Sequence, residues 1–192
     1  MQYNITPIEI ENCVKTLKNG GIILYPTDTI WGIGCDATDK NAISKIYRLK
    51  HREEDQSFIV LVSSQEQLKE YVHDIPPVAY DLMNAMDTPL TIIYPKGKNL
   101  AENVMGKDGS IAIRVVKNDF CCQLINELGK PIVSTSANIS GEPSPLSFQS
   151  ISQEIIKGVD HLVILSATHI EKTRASRIIK IEPSGMFTII RE

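Results

Sequence analysis

Short runs rich in Ile, Val and Leu recur along the chain, each ended within a few residues by Pro, Gly or a polar cluster, and helix-period segments fill the intervals. One twisted, mixed β-sheet with helices packed on it accounts for this order, an α+β fold with α/β-like stretches. No repeat, low-complexity tract or long Ser/Pro/Gly linker divides the chain, so residues 1–192 are read as a single domain. A net charge of −3 argues against a protein that coats nucleic acid through a global positive field, while leaving room for a local basic cleft. No apolar run is long enough to span a bilayer, and the first residues lack the basic-then-apolar order of a signal peptide, so a cytoplasmic protein with no membrane partner is expected.

The elements read as follows. Gly20-Gly21 feeds a buried strand, Ile22 to Tyr25, stopped by Pro26, and residues 40–50 form a helix capped by Thr38 or Asp39. Phe58 to Val62 is strand-like, and the capping box Ser64-x-x-Gln67 opens a helix running to about Val72. Pro76-Pro77 opens another helix, with Val78, Leu82 and Met86 on its inward face. Leu90 to Tyr94 is a strand, and Pro95 to Gly109 a long, mobile surface loop. In Ser110 to Val115 the period of two sends Ile111, Ile113 and Val115 one way, and Ser110, Ala112 and Arg114 the other. A helix from Phe120 to Leu128, capped by Asn118 or Asp119 and ended by Gly129, leads to a strand at Pro131 to Val133 and then a loop, Ser134 to Asn138. A last helix near Ser150 to Lys157 carries the capping box Ser150-x-x-Gln153, and three strands complete the chain, Pro183-Ser184-Gly185 turning the final pair.

Three polar clusters fall at strand or helix ends: Pro26-Thr27-Asp28-Thr29, Lys50-His51-Arg52, and Ser134 to Asn138. Singly, each is explained by turn and cap chemistry. Together they suit an anion, because two cations within one turn can hold a phosphate or carboxylate while hydroxyls supply oriented hydrogen bonds. No G-x-x-x-x-G-K-[ST] loop is present, so these residues alone do not specify ATP. A serine hydrolase lacks its G-x-S-x-G elbow, and the four histidines and four cysteines show no metal-ligand spacing, so no metal site is expected.

Tyr25-Pro-Thr-Asp-Thr-Ile-Trp-Gly-Ile-Gly-Cys-Asp-Ala37, then Lys50-His51-Arg52, then Ser110-Ile-Ala-Ile-Arg114, then Ser134-Thr-Ser-Ala-Asn-Ile-Ser-Gly141 with Ser144, resembles in order and spacing the YrdC-like threonylcarbamoyl-AMP synthase family. The resemblance runs from about Gly20 to Arg191 and is closest to the short, single-domain form. It implies a twisted sheet around a positively charged cavity that joins L-threonine, bicarbonate and ATP into threonylcarbamoyl-AMP, with release of pyrophosphate, for tRNA modification. By that resemblance Thr29, Arg114, Ser134 and Ser176 meet threonine. Arg52, Gln56, Ser110, Ser136, Asn138, Ser144 and Arg191 meet the nucleotide, and Lys50 and Arg52 act on its phosphates. Magnesium is implied with ATP, and tRNA-modification proteins as partners. Gln56, Leu61 and Ser176-Arg177 depart from the usual residues of that pattern. A second reading takes the Lys and Arg of residues 45–52 and of the Lys96 to Lys107 loop as a binding surface for tRNA or double-stranded RNA without synthesis.

Overall fold

A computed structural model describes residues 6–54, 57–163 and 175–192. Helix α1 (Pro7–Lys18) leads into the hairpin β1 (Ile23–Pro26) and β2 (Trp31–Gly34), followed by α2 (Lys40–Leu49), β3 (Ile59–Val62), α3 (Gln65–Tyr71) and α4 (Pro77–Ala85). Then come β4 (Leu90–Tyr94), β5 (Ile111–Val115), α5 (Asp119–Leu128), β6 (Ile132–Ser136), α6 (Gln153–Gly158), β7 (His161–Leu162), β8 (Arg177–Ile181) and β9 (Phe187–Arg191). The described strands form a mixed sheet in the order β7-β1-β2-β6-β3-β5-β4-β8-β9. The β1–β7, β3–β5 and β4–β8 pairs are parallel and the others antiparallel.

Strand alternation divides the interior into two clusters. On one face Leu24, Ile33, Val60, Val62, Ile111, Ile113, Ile92 and Ile179 pack beneath Ile43, Ile46 and Tyr47 of α2 and Leu68 of α3. On the other, Ile23, Tyr25, Leu61 and Ile132 pack beneath Ile10, Cys13 and Leu17 of α1 and Phe120, Leu124 and Ile125 of α5. The second face is covered along only part of its length. Where α1 and α5 no longer reach, the inward positions change to Gly32, Ser134, Ser136, Ala112 and Arg114, and a pocket opens.

Several elements differ from the sequence reading. Helix α1 was not expected, although Thr6 caps it by accepting from the Glu9 amide, Pro7 opens it, and Ile10, Cys13 and Leu17 form its buried stripe. Strand β2 was also not expected, its Gly32 and Gly34 hiding a four-residue strand that pairs with β1. Pro26 lies within β1, and Ser134 to Ser136 complete β6 instead of starting a loop. The inward face expected of α4 is only partly covered: Ala79 is its buried residue, while Val78 and Leu82 are half-buried. The stretch Pro95 to Gly109 is tied down rather than loose. Ala101 and Val104 are buried, the Ala101 amide donates to the Ala37 carbonyl, and the Tyr47 hydroxyl donates to the Asn103 carbonyl at 3.0 Å. The last helix starts later than expected: Ser152 caps it, while Ser150 belongs to a capping box with Ser147 around a short 3-10 turn.

Gly34 sets how closely β1, β2 and β6 pack, because a Cβ there would sit 2.5 Å from the Val133 carbonyl oxygen and 2.8 Å from the Tyr25 ring. Gly34→Ala is therefore expected to lower the unfolding free energy by about 1–3 kcal/mol, the usual cost of overpacking. Urea unfolding measures it, and an unchanged midpoint would contradict this packing.

Candidate functional site

The pocket has a volume of about 300 Å³ and is walled by residues distant in sequence: Thr29, Arg52, Arg114, Ser134, Ser136 and Arg191 among others. Its floor follows from register. Ser134 pairs with Ile59, Ile59 with Ala112, and Ala112 with Ile93, so these side chains lie on one face, while Ser136 pairs with Gly32. Gly32 leaves the floor low, since a Cβ there would meet the Thr27 methyl at 3.2 Å and the Ser134 hydroxyl at 3.4 Å.

Arg114 projects from β5 onto this face and is only 4% exposed. A buried guanidinium needs acceptors, because its charge cannot be neutralised by proton loss. One Nη donates to Thr29 Oγ1 at 3.3 Å, and the other lies 3.2 Å from Asp28 Oδ1 in an ion pair whose angles fall short of a hydrogen bond. Its Nε finds no acceptor among the described residues. The β1–β2 turn that presents Thr29 is organised by Thr27, whose Oγ1 donates to the Ile30 carbonyl and accepts from the Thr29 and Ile30 amides. The Thr27 and Thr29 hydroxyls are 2.8 Å apart and share a hydrogen bond. Contacts thus run without a break from Arg114 through Thr29 and Thr27 to the backbone.

Opposite, Ser176 and Arg191 form one unit. Arg191 donates from Nε and Nη2 to the Ser176 carbonyl at 3.0 and 2.7 Å, and the Ser176 hydroxyl is 2.8 Å from that of Thr91. Burial, then the nearby Arg114 charge, lowers the Arg191 pKa. Arg52 enters from the end of α2, its guanidinium 4.6 Å above the Phe58 ring and donating to the Ser57 carbonyl at 2.8 Å. Three arginines therefore surround the pocket, and no carboxylate is among its described lining residues, so it suits an anion flanked by hydroxyl groups.

Of the residues singled out in the sequence, Thr29, Arg52, Arg114, Ser134, Ser136, Ser144, Ser176 and Arg191 line this one pocket. Lys50, Ser110 and Asn138 do not. The Ser110 amide donates to Asp108 Oδ1, with its hydroxyl also directed at that carboxylate, so the expectation that Ser110 and Arg114 project together is not met. Gln56 lies outside the described residues. Leu61 pairs with Arg114 but packs beneath α1 and α5.

Lys50 corrects the idea of two phosphate-facing cations in one turn. His51 between them takes a left-handed conformation, φ 50°. Lys50 is 2% exposed, and its Nζ donates to the Ser136 and Asn138 carbonyls at 2.5 and 2.6 Å, while its own carbonyl accepts from the Ser140 amide. Asn138 completes the same tie by donating to the Ile139 and Glu142 carbonyls. Lys50 and Asn138 thus hold the chain around Ser136 in shape. A second hollow of about 440 Å³ is lined by Asp28, the ion-pair partner of Arg114, with Gln65, Asn84, Asp87 and Lys117 among others. Away from both, Glu9, Cys13 and His161 approach one another, a cluster with no counterpart in the sequence spacing.

The family model Sua5_yciO_yrdC, described as "Telomere recombination", matches residues 15–192. A threonylcarbamoyl-AMP synthase of Saccharophagus degradans is 38% identical over 134 residues, covering 69% of this chain and 70% of that protein. One of Xanthomonas oryzae pv. oryzae is 30% identical over 183 residues, covering 90% and 97%. Among solved structures, P. abyssi Sua5 complexed with L-threonine superposes with a TM-score of 0.87 at 27% identity, over 98% of this chain and 55% of that one. E. coli YciO gives 0.85 at 26% identity, over 99% and 91%. The chain thus spans just over half the length of the Sua5 chain it matches.

The buried amine yields a pH prediction. Burial first, and the Arg52 charge second, lower the Lys50 pKa from 10.5 to about 8. The folded chain then releases this proton near pH 8, while the unfolded chain keeps it to about 10.5, so in that window the unfolded state binds more protons and stability rises with pH. The neutral amine keeps two N–H donors, one for each carbonyl. The stability of the native chain relative to Lys50→Met is expected to grow by up to about 3 kcal/mol between about pH 7 and about pH 10. Urea melts of both proteins across that range measure it, and a difference that stays flat would remove this titration.

Proposed function

Because the chain belongs to the Sua5/YciO/YrdC family, we propose that its pocket joins L-threonine, bicarbonate and ATP into threonylcarbamoyl-AMP, the compound its curated relatives are named for making. The observation that carries the reading is the buried Arg114 fork beside Thr29, Ser134 and Ser176, with Arg52 and Arg191 on the same pocket wall. Arg114 meets the threonine carboxylate, and the three hydroxyls orient the rest of the amino acid. Arg52, Ser136, Ser144 and Arg191 meet ATP. Lys50 and Asn138 act through the backbone they hold and are positioning residues. The chain is read as one domain carrying the whole pocket.

The threonine amine adds to bicarbonate with loss of water to give the carbamate. A carbamate oxygen then attacks the α-phosphorus, and the bond from that phosphorus to the bridging oxygen breaks, releasing pyrophosphate. Two anions must meet, so the arginines contribute by neutralising charge and aligning the reactants, and no side-chain nucleophile is needed. Magnesium fits the lining poorly as a protein-held ion, since such sites use one or two carboxylates and none is among the described lining residues. It would enter on the phosphates of ATP, and no step is assigned to it. The product serves tRNA threonylcarbamoyladenosine formation, handed to tRNA-modification proteins, and ATP and tRNA as substrate and destination suit the cytoplasm.

The RNA-binding reading is less well supported. Within residues 45–52, Lys45 donates to the Gly20 carbonyl, Lys50 is buried and Arg52 turns into the pocket, so this stretch is not one exposed cationic face. Among the described residues no helix is long and apolar enough to cross a membrane.

Pyrophosphate release is expected only when threonine, bicarbonate and ATP are all present. Arg114→Lys, which keeps the charge but loses the fork, should raise the threonine KM by about 10- to 100-fold, the worth of one charged hydrogen bond. Arg52→Ala should raise the ATP KM and leave the threonine KM nearly unchanged. Steady-state pyrophosphate assays test all three, and salt-dependent RNA binding by a protein that releases no pyrophosphate would favour the other reading.

A further inference from the structure

Glu9 and Cys13 are four residues apart on α1 and therefore share a face of that helix. His161 opens β7, which pairs in parallel with β1 opposite Ile23. Its place is fixed by the preceding residue, since Asp160 Oδ2 accepts from the Ile22 amide at 2.8 Å. A Glu9 carboxylate oxygen, the Cys13 sulfur and a His161 ring nitrogen all lie within 4.8 Å of one another, with Glu9 Oε1 and His161 Nε2 at 2.8 Å. Cys13 is fully buried, and the Glu9 and His161 side chains are only 16% and 22% exposed.

We propose that Glu9, Cys13 and His161 bind a divalent transition metal, zinc foremost, as a three-ligand site that clips α1 to the edge strand β7. Bond lengths of about 2.0–2.3 Å to oxygen, nitrogen and sulfur set ligand atoms roughly 3.3–3.6 Å apart in a tetrahedron, within reach of the observed cluster after small side-chain adjustments. Thiolate and imidazole select zinc or cobalt over magnesium and calcium. One carboxylate and one thiolate balance the dication, so the bound site is neutral, as a desolvated position requires. On binding, the Cys13 S–H bond breaks, the metal–sulfur bond forms and the proton leaves to solvent, with no change of oxidation state. Water completes the fourth position. None of the three residues lines the arginine-walled pocket, so the site is independent of the synthase reading.

Titration of the full chain with Co²⁺, followed by Zn²⁺ competition, tests the proposal. The expected result is one equivalent of Co²⁺ bound with a thiolate-to-cobalt charge-transfer band, and a dissociation constant about 100-fold or more weaker in Cys13→Ser and in His161→Gln. Zn²⁺ should also raise the melting temperature of the native chain but not that of His161→Gln. His161→Gln keeps the test decisive if Cys13→Ser does not fold, because its side chain is partly exposed. Cys122→Ser should change nothing, Cys122 being the one cysteine within partial reach of solvent and outside the cluster. Absence of the charge-transfer band, its persistence at full strength in His161→Gln, or its loss in Cys122→Ser would each overturn the site.

Discussion

The site depends on keeping one guanidinium charged inside a sheet. Arg114 occupies a strand position whose neighbours on the same face are apolar further along, and it is as buried as they are. Desolvating such a charge costs several kcal/mol unless partners offset it. Asp28 and Thr29 supply them from a turn that is itself held by Thr27, so the strand position and the turn have to be built together. The small residues nearby follow from the same requirement. Gly32 and Ala112 leave open the space that larger side chains would fill, and a fixed charge with vacant space beside it is how a protein selects an anion of defined size.

The cations divide into two kinds of work. Arg114, Arg52 and Arg191 reach the pocket, whereas Lys50 spends its donors on backbone carbonyls. The choice matches the side chains. Guanidinium is planar, resists deprotonation and engages carboxylate or phosphate with two parallel bonds, while a compact ammonium can be taken into a cramped corner between two carbonyls. Glu9, Cys13 and His161 form a second polar assembly beside α1, and none of them lines the pocket.

Much of this was legible in the sequence where the signal was local. The alternation in Ile111 to Val115 assigned Arg114 to the face opposite Ile111 and Ile113, and the Asn118 and Gly129 signals bounded α5. Eight of the residues that the family resemblance implied line one pocket. What could not be read depends on where backbone turns. Lys50 and Arg52 are two residues apart, and only the structure shows that the Lys50 amine is taken up by the Ser136 and Asn138 carbonyls while Arg52 lines the pocket. Ser110 has the right strand parity, but the turn at Asp108 takes its hydroxyl away. Strand β2 was hidden because glycines carry no hydrophobic pattern, and the Glu9–His161 contact joins residues 152 positions apart, beyond any spacing rule.

Strand β9 lies at the rim of the sheet with every one of its residues exposed, and it hangs on β8 and on the grip of Arg191 on Ser176. Fraying of this last ribbon removes one basic group from the cavity and leaves both hydrophobic clusters whole. Occupancy and order at the carboxyl end are thereby thermodynamically linked: any solute that engages Arg191 tightens the terminal strand, and fraying of that strand releases the solute without melting the interior.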